Sequence, residues 1–176
     1  LGKDVNTSIK PTGEAAMKTP AKPMQPILSR MAFAGHPIHP MLIHFPVAAL
    51  LGLVASDAAF LYTGDPFWAR VSVWLAGVGS TGGAIAGLIG FLDWVSVPRI
   101  RAMVSASCHA IFAVMMLSLA TFNWLLRLDD PATPIWPVGL LVSLFTAGII
   151  AVASALGGIL VYEFGVGVGV EVEMKR

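Results

Sequence analysis

The chain has 176 residues, 56% of them hydrophobic and 12% charged, with a mean hydropathy of +0.79, whereas an ordinary soluble domain carries about 25% charged residues. That composition excludes a soluble globular enzyme, and eighteen Gly and twelve Pro without a Gly-X-Y period exclude collagen. A net charge of +1 with no basic face offers nothing to nucleic acid, and a lone Cys108 makes neither an internal disulfide nor a CxxC motif, so a polytopic membrane protein remains.

Residues 1–33 read as a polar arm. Seven of the twenty-one charges lie in residues 1–30, and Pro11, Pro20, Pro23 and Pro26 break any regular period. Four stretches then reach the roughly 20 apolar residues needed to cross hydrocarbon: Met41 to Leu61, Val71 to Leu92, Ala102 to Leu126 and Val138 to Tyr162. Runs of this length are too long for barrel strands. The connections are short and rich in turn residues (Thr63-Gly64-Asp65-Pro66, Val97-Pro98-Arg99, and Asp129-Asp130-Pro131 followed by Pro134 and Pro137), which makes sequential helices antiparallel neighbours. The expected fold is all-α: a transmembrane four-helix up-and-down bundle over 34–162, with an extended tail from 163 to 176. Alternating Gly and Val from Gly165 suits a strand that docks on a partner, or a disordered tail.

Nine Lys and Arg fall in the arm, the second loop and the C-terminus, against Arg70 and Arg127 in the other two loops. The count orients both termini to the cytoplasmic side of a bacterial inner membrane. Trp68, Trp94, Trp124 and Trp136 sit near span ends, as interfacial indoles do. Gly79, Gly83 and Gly87 make a small-residue ridge suited to close helix packing. Asp57 reads as a solvated end residue of the first span, and Asn123 as a cross-link between helices.

Three of the four histidines crowd into residues 36–46, and the fourth is His109 in the third span. Counted from the cytoplasmic ends at ~1.5 Å per residue, His44 and His109 lie roughly 6 and 10 Å deep on helices that run parallel across the bundle. Haem iron takes one axial ligand on each face of the macrocycle, so His44 and His109 are the expected ligands of one b-type haem. Pro46 is expected to kink the first helix and aim His44 inward. Arg99 or Arg101 offers a planar fork to a haem propionate. The corresponding function is a cytochrome b-like electron-transfer subunit, not an enzyme alone, that exchanges electrons with quinone or a partner redox protein. Two rival readings explain the same residues: a cofactor-free assembly subunit of a larger membrane complex, and a Zn, Cu or Fe site at the cytoplasmic mouth formed from His36, His39, His44 and Asp93.

The run Gly35-His36-Pro37-Ile38-His39-Pro40 through His44-Phe45-Pro46, the end of the second span at Gly90 to Trp94, His109, and Gly157 to Val166 together resemble a bacterial membrane family known as domain of unknown function 2231. The resemblance covers about residues 34 to 170. It implies a four-helix membrane domain, sometimes joined to Rieske or c-type cytochrome modules, and so partners such as a c-type cytochrome, a Rieske protein or a dehydrogenase. Phe164 stands where many relatives are expected to carry His, which argues against a second redox site here.

Overall fold

A computed structural model describes residues 26–168. Most of the arm (1–25) and the end of the tail (169–176) lie outside the described residues, as does the Gly-Val alternation beyond Val168. Among the described residues, four helices are long and apolar enough to cross a membrane: α1 (Ile38–Thr63), α2 (Pro66–Ser96), α4 (Val104–Leu125) and α5 (Val138–Tyr162). Between α2 and α4 lies a single-turn helix, α3 (Pro98–Arg101), and a 3-10 turn at Thr133–Ile135 precedes α5.

Local chemistry sets the boundaries. Gly64 takes the left-handed conformation (φ 68°) and donates its N–H to Phe60 O, closing α1 as a glycine at that position commonly does. Two residues later Pro66 opens α2, and the Asp65 carboxylate accepts the Phe67 N–H at 2.8 Å. α1 begins at Ile38, three residues before the first expected span. Pro40 is tolerated there because first-turn N–H groups have no helical acceptor. This earlier start brings His39 inside the helix.

Each helix pairs with its neighbour in sequence, α1 with α2 and α4 with α5, and the two hairpins join through α2–α4 and α1–α5 contacts. α1 and α4, which run parallel, therefore stand on one diagonal, and α2 and α5 on the other. The centre is filled by Leu50, Leu53, Ala76, Met116, Ala120, Ile149 and Ile150. Large apolar side chains such as Trp74, Ile85, Ile111, Leu141 and Phe145 point outward, as a lipid-facing surface requires. Lipid is as apolar as a core, so the helices are held by close packing and polar contacts. On the glycine ridge a Cβ at Gly79 would sit 2.5 Å from Leu50, and one at Gly83 would meet Leu117 at 3.4 Å, whereas Gly87 faces open space. Two of the three ridge positions thus carry the α1–α2 and α2–α4 approach.

The chain enters the bundle through a small antiparallel pair, β1 (Ala32–Phe33) and β2 (His36–Pro37), turning at Ala34 and Gly35 with φ of 48° and 80°. Ile27 and Val166 form a parallel bridge, with Ile27 N–H donating to Gly165 O and Gly167 N–H to Ile27 O. The first part of the tail thus pairs with the chain's own leading segment. Together the two segments cover the arm end of the bundle.

Candidate functional site

Two clusters of polar side chains interrupt the apolar bundle, one near each end. At the arm end, the His39 imidazole on α1 reaches α2, where its Nδ1 lies 2.7 Å from Ala86 O. The His109 imidazole on α4 reaches α5, with Nδ1 2.9 Å from Ala153 O. A carbonyl oxygen only accepts, so each Nδ1 carries the proton, and in a neutral ring each Nε2 is left with a bare lone pair. The two rings meet between the diagonal helices, with centroids 6.2 Å apart and planes at 89°.

Glycine makes both approaches feasible. Four residues beyond each accepting carbonyl stands a glycine, Gly90 after Ala86 and Gly157 after Ala153. A Cβ on Gly90 would lie 2.8 Å from His39 Nδ1, and one on Gly157 would lie 3.3 Å from His109 Cε1. The imidazoles rest on bare helix backbone.

The expected pairing of His44 with His109 is therefore replaced by His39 with His109. His44 is exposed on the outer side of α1. The reason is helical phase. Pro46 is buried against Gly82 and Gly83, which fixes the inward face of α1. At about 100° per residue, His39 lies seven residues before Pro46 and returns to nearly the same face, while His44 points about 200° away. Pro46 thus turns His39 inward, not His44.

The other sequence candidates are not gathered into one cluster. His36 Nδ1 pairs with Ala34 O at 2.9 Å within its own exposed hairpin. The buried Asp93 carboxylate accepts the Ser29 hydroxyl and the N–H groups of Arg30 and Met31 at 2.8 and 2.9 Å, which ties the leading segment to α2. Among the described residues, no three His, Cys, Asp or Glu side chains come together as a metal-binding group. Arg99 and Arg101 stand exposed on α3, at the same end as the imidazole pair. At the same end, Ile27 is only 3% exposed and packs with Ile100 and Ala106, flanked by Leu160. Ala106 lies one turn before His109 and Leu160 one turn after Gly157, so this apolar cluster adjoins the pair, whose residues are themselves half-buried.

At the far end, Asp57 and Arg127 are both 0% exposed, which corrects the reading of Asp57 as a solvated end residue. Arg127 donates Nη1–H and Nη2–H to the two Asp57 oxygens at 2.5 and 2.9 Å, and Nε–H to Asn123 Oδ1 at 3.0 Å. Ser72 and Ser143 also donate to Asp57, at 2.8 and 3.0 Å. Asn123 in turn donates to Gly139 O and Ser143 Oγ, the helix cross-link expected of it. The network joins all four long helices and leaves no charged atom without a partner.

The two clusters are related by a repeat in the sequence that span length and hydropathy do not reveal. Asp57 lies eighteen residues after His39, and Arg127 lies eighteen residues after His109. Within α1 eighteen residues are five full turns, so His39 and Asp57 share one helix face about 27 Å apart, and Arg127 lies two residues past the end of α4. His39 is seventy residues from His109, as Asp57 is from Arg127. The carbonyl-and-glycine seats repeat too, forty-seven and forty-four residues after their histidines. The α1–α2 and α4–α5 hairpins are thus two copies of one plan, and each contributes one imidazole and one half of an ion pair to the common axis.

The family model described as "Predicted membrane protein (DUF2231)" matches residues 35–170, which is most of the chain and includes all four histidines. The chain belongs to this family. No curated protein and no solved structure matches the chain. The DUF2231 region begins at the turn of the leading hairpin and ends beyond Val166, so it takes in the bundle, both polar clusters and the segment that bridges to Ile27.

Proposed function

We propose that this DUF2231 protein is a membrane electron-transfer subunit of the b-type cytochrome class, with His39 and His109 as the two axial ligands of one haem. The observation that carries the reading is the imidazole pair: one ring from each hairpin, Nδ1 held by a main-chain carbonyl, Nε2 unused. A metal-bound histidine characteristically donates its other ring N–H to a carbonyl or carboxylate, which fixes the tautomer and the ring orientation. The residues fit such a group. The two rings lie close to each other, with centroids 6.2 Å apart, and imidazole nitrogen is a common ligand of iron. Two protein ligands without a third beside them suit haem iron, whose remaining four positions are filled by the macrocycle.

When bound, haem supplies one-electron transfer; the protein supplies ligands, burial and orientation. His39 and His109 would hold the iron. Ile27, Ile100 and Ala106 form an apolar cluster at the same end, and Arg99 and Arg101 stand where propionates would need cations. In this reading the arm end faces the cytoplasm of a bacterial cell. Arg127 is neutralised inside the protein, which leaves Arg70 as the one loop cation counted against that orientation. The electron partner is a quinone or a redox protein such as a c-type cytochrome, a Rieske protein or a dehydrogenase.

A haemochrome spectrum of the purified full chain, produced with ample haem, tests the proposal. We expect one haem per chain in the wild type and in His44→Ala, and its loss in both His39→Ala and His109→Ala. A wild-type protein without haem absorbance, or variants that keep it, would leave the bundle as a cofactor-free assembly subunit.

A further inference from the structure

His39 faces the centre of the bundle because α1 begins where it does, so whatever fixes that beginning acts on the imidazole pair. His39 is only the second residue of α1, and the N–H groups of a first turn have no acceptor within their own helix. Pro37, just before the helix, supplies no side-chain cap. The leading hairpin takes over that task. The Ile38 N–H donates to Met31 O at 2.9 Å, and Met31 is itself held from the other side, its N–H donating to Asp93 Oδ1 at 2.9 Å.

The Asp93 carboxylate is buried and takes three donors, the Met31 and Arg30 N–H groups on one oxygen and the Ser29 hydroxyl on the other. Bonds to an ionised acceptor are roughly twice as strong as neutral ones. Ala86, Gly90 and Asp93 follow one face of α2 at spacings of four and three residues. That face therefore holds His39 twice: the ring through Ala86 O and the bare backbone of Gly90, and the main chain through Asp93, Met31 and Ile38. The second hairpin lacks the device. Leu160 stands sixty-seven residues after Asp93, as Gly157 does after Gly90. His109 needs no such support, because it is the sixth residue of α4 and lies beyond the first-turn donors.

We infer that Asp93 is the positioning residue of His39: by gripping Met31 it sets the first turn of α1 and holds this one imidazole, and not that of His109, ready for the iron. The inference rests on the haem reading for its consequence, but the positioning itself is measured without haem. Partners that orient a metal ligand matter nearly as much as the ligand, and their replacement typically costs about 10–100-fold in affinity.

Amide hydrogen exchange of the full chain in phospholipid nanodiscs, without haem, is the first measurement. In Asp93→Ala we expect exchange between Met31 and His39 to speed up on the order of tenfold, as loss of hydrogen bonds to a charged group implies, while the segment around His109 and the middle of α5 stay as in wild type. Asp93→Asn keeps a carbonyl oxygen for the two N–H groups and falls between the two, which serves as the milder variant. The second measurement is titration with hemin. Asp93→Ala should bind it about 10–100-fold more weakly, and the bound haem should show a high-spin fraction that free imidazole converts to the low-spin spectrum of wild type. Unchanged exchange between Met31 and His39, or exchange that rises equally around His109, would overturn the inference. So would faster exchange in a variant whose haem affinity and spin state match those of wild type. A wild type that binds no hemin defeats the haem reading alone, since the exchange pattern still decides whether Asp93 positions His39.

Discussion

The two ends of the bundle are built from equivalent positions yet solve opposite problems. At the far end, Asp57 and Arg127 are buried completely and every charged nitrogen and oxygen has a partner: both carboxylate oxygens and all three guanidinium nitrogens, with Asn123 and two serines completing the network. At the arm end, His39 and His109 each spend one nitrogen on a carbonyl and leave the other without a partner among the described residues. A closed network specifies a fold. A pair of oriented imidazoles with spare lone pairs is prepared for a ligand, because the cost of ordering the rings has been met before anything binds. The repeat places both on one axis, so the difference lies in the side chains and not in the scaffold.

Breaking the far end has the largest expected effect. Arg127→Met leaves Asp57 charged and uncompensated inside the protein, and loss of one partner of a buried pair costs about 3–5 kcal/mol. Unfolding from mixed micelles should report it. The exchange Asp57→Arg with Arg127→Asp sharpens the comparison, since the two positions are equivalent in the repeat. Most of the loss should return, though not all, because the counterpart of Asn123 in the first hairpin is Leu53, which offers the relocated guanidinium no acceptor. An exchange that recovers nothing would deny the equivalence.

The arm end is separated from the far end by its seats. Gly90→Ala puts a methyl group 2.8 Å from His39 Nδ1, and Gly157→Ala puts one 3.3 Å from His109 Cε1. The first displaces its ring and the second asks for a shift of a few tenths of an ångström. Haem retained on purification should fall strongly in Gly90→Ala and modestly in Gly157→Ala. Stability should change by no more than about 1–3 kcal/mol in either, the range for an added core methyl group. Equal retention in both would mean that the seats do not position the rings.

The smallest effect belongs to the exposed loop before α5. The Asp130 carboxyl is held below its ordinary value of 3.8, first by a hydrogen bond from the Thr133 side chain and then by the N–H groups of Ala132 and Thr133. A lowered carboxyl pKa adds stability that is complete above the ordinary value and is lost as pH falls through the lowered one. Asp130→Asn should therefore reduce stability slightly at neutral pH, with the difference from wild type shrinking as pH falls below 3.8 and vanishing once it is below the lowered pKa. A difference that persists in acid would point to another cause.

How far the site could be read in advance depended on the kind of signal. The four spans, their short connections and the glycine ridge follow from run length and residue type. The diagonal placement of the first and third spans follows from short loops, and Asn123 was legible because an amide within a membrane helix needs a partner. The inward histidine was not, because the choice between His39 and His44 turns on where α1 begins and on which face Pro46 packs. Asp57 was misread for a related reason: nothing near it in sequence reveals that Arg127, seventy residues away, folds back beside it. The spacing that could have revealed both, eighteen residues from histidine to charge in each half, appears only when the two hairpins are compared as copies.

Apolar run length and loop chemistry thus determined by themselves that this chain makes four membrane helices in alternating directions, since the hydrocarbon layer demands internally bonded backbone of a set length. Tertiary structure alone decided which polar groups face one another. Partners across a bundle are chosen by helix phase and close approach, and a shift of one residue at a helix start rotates every side chain by about 100°.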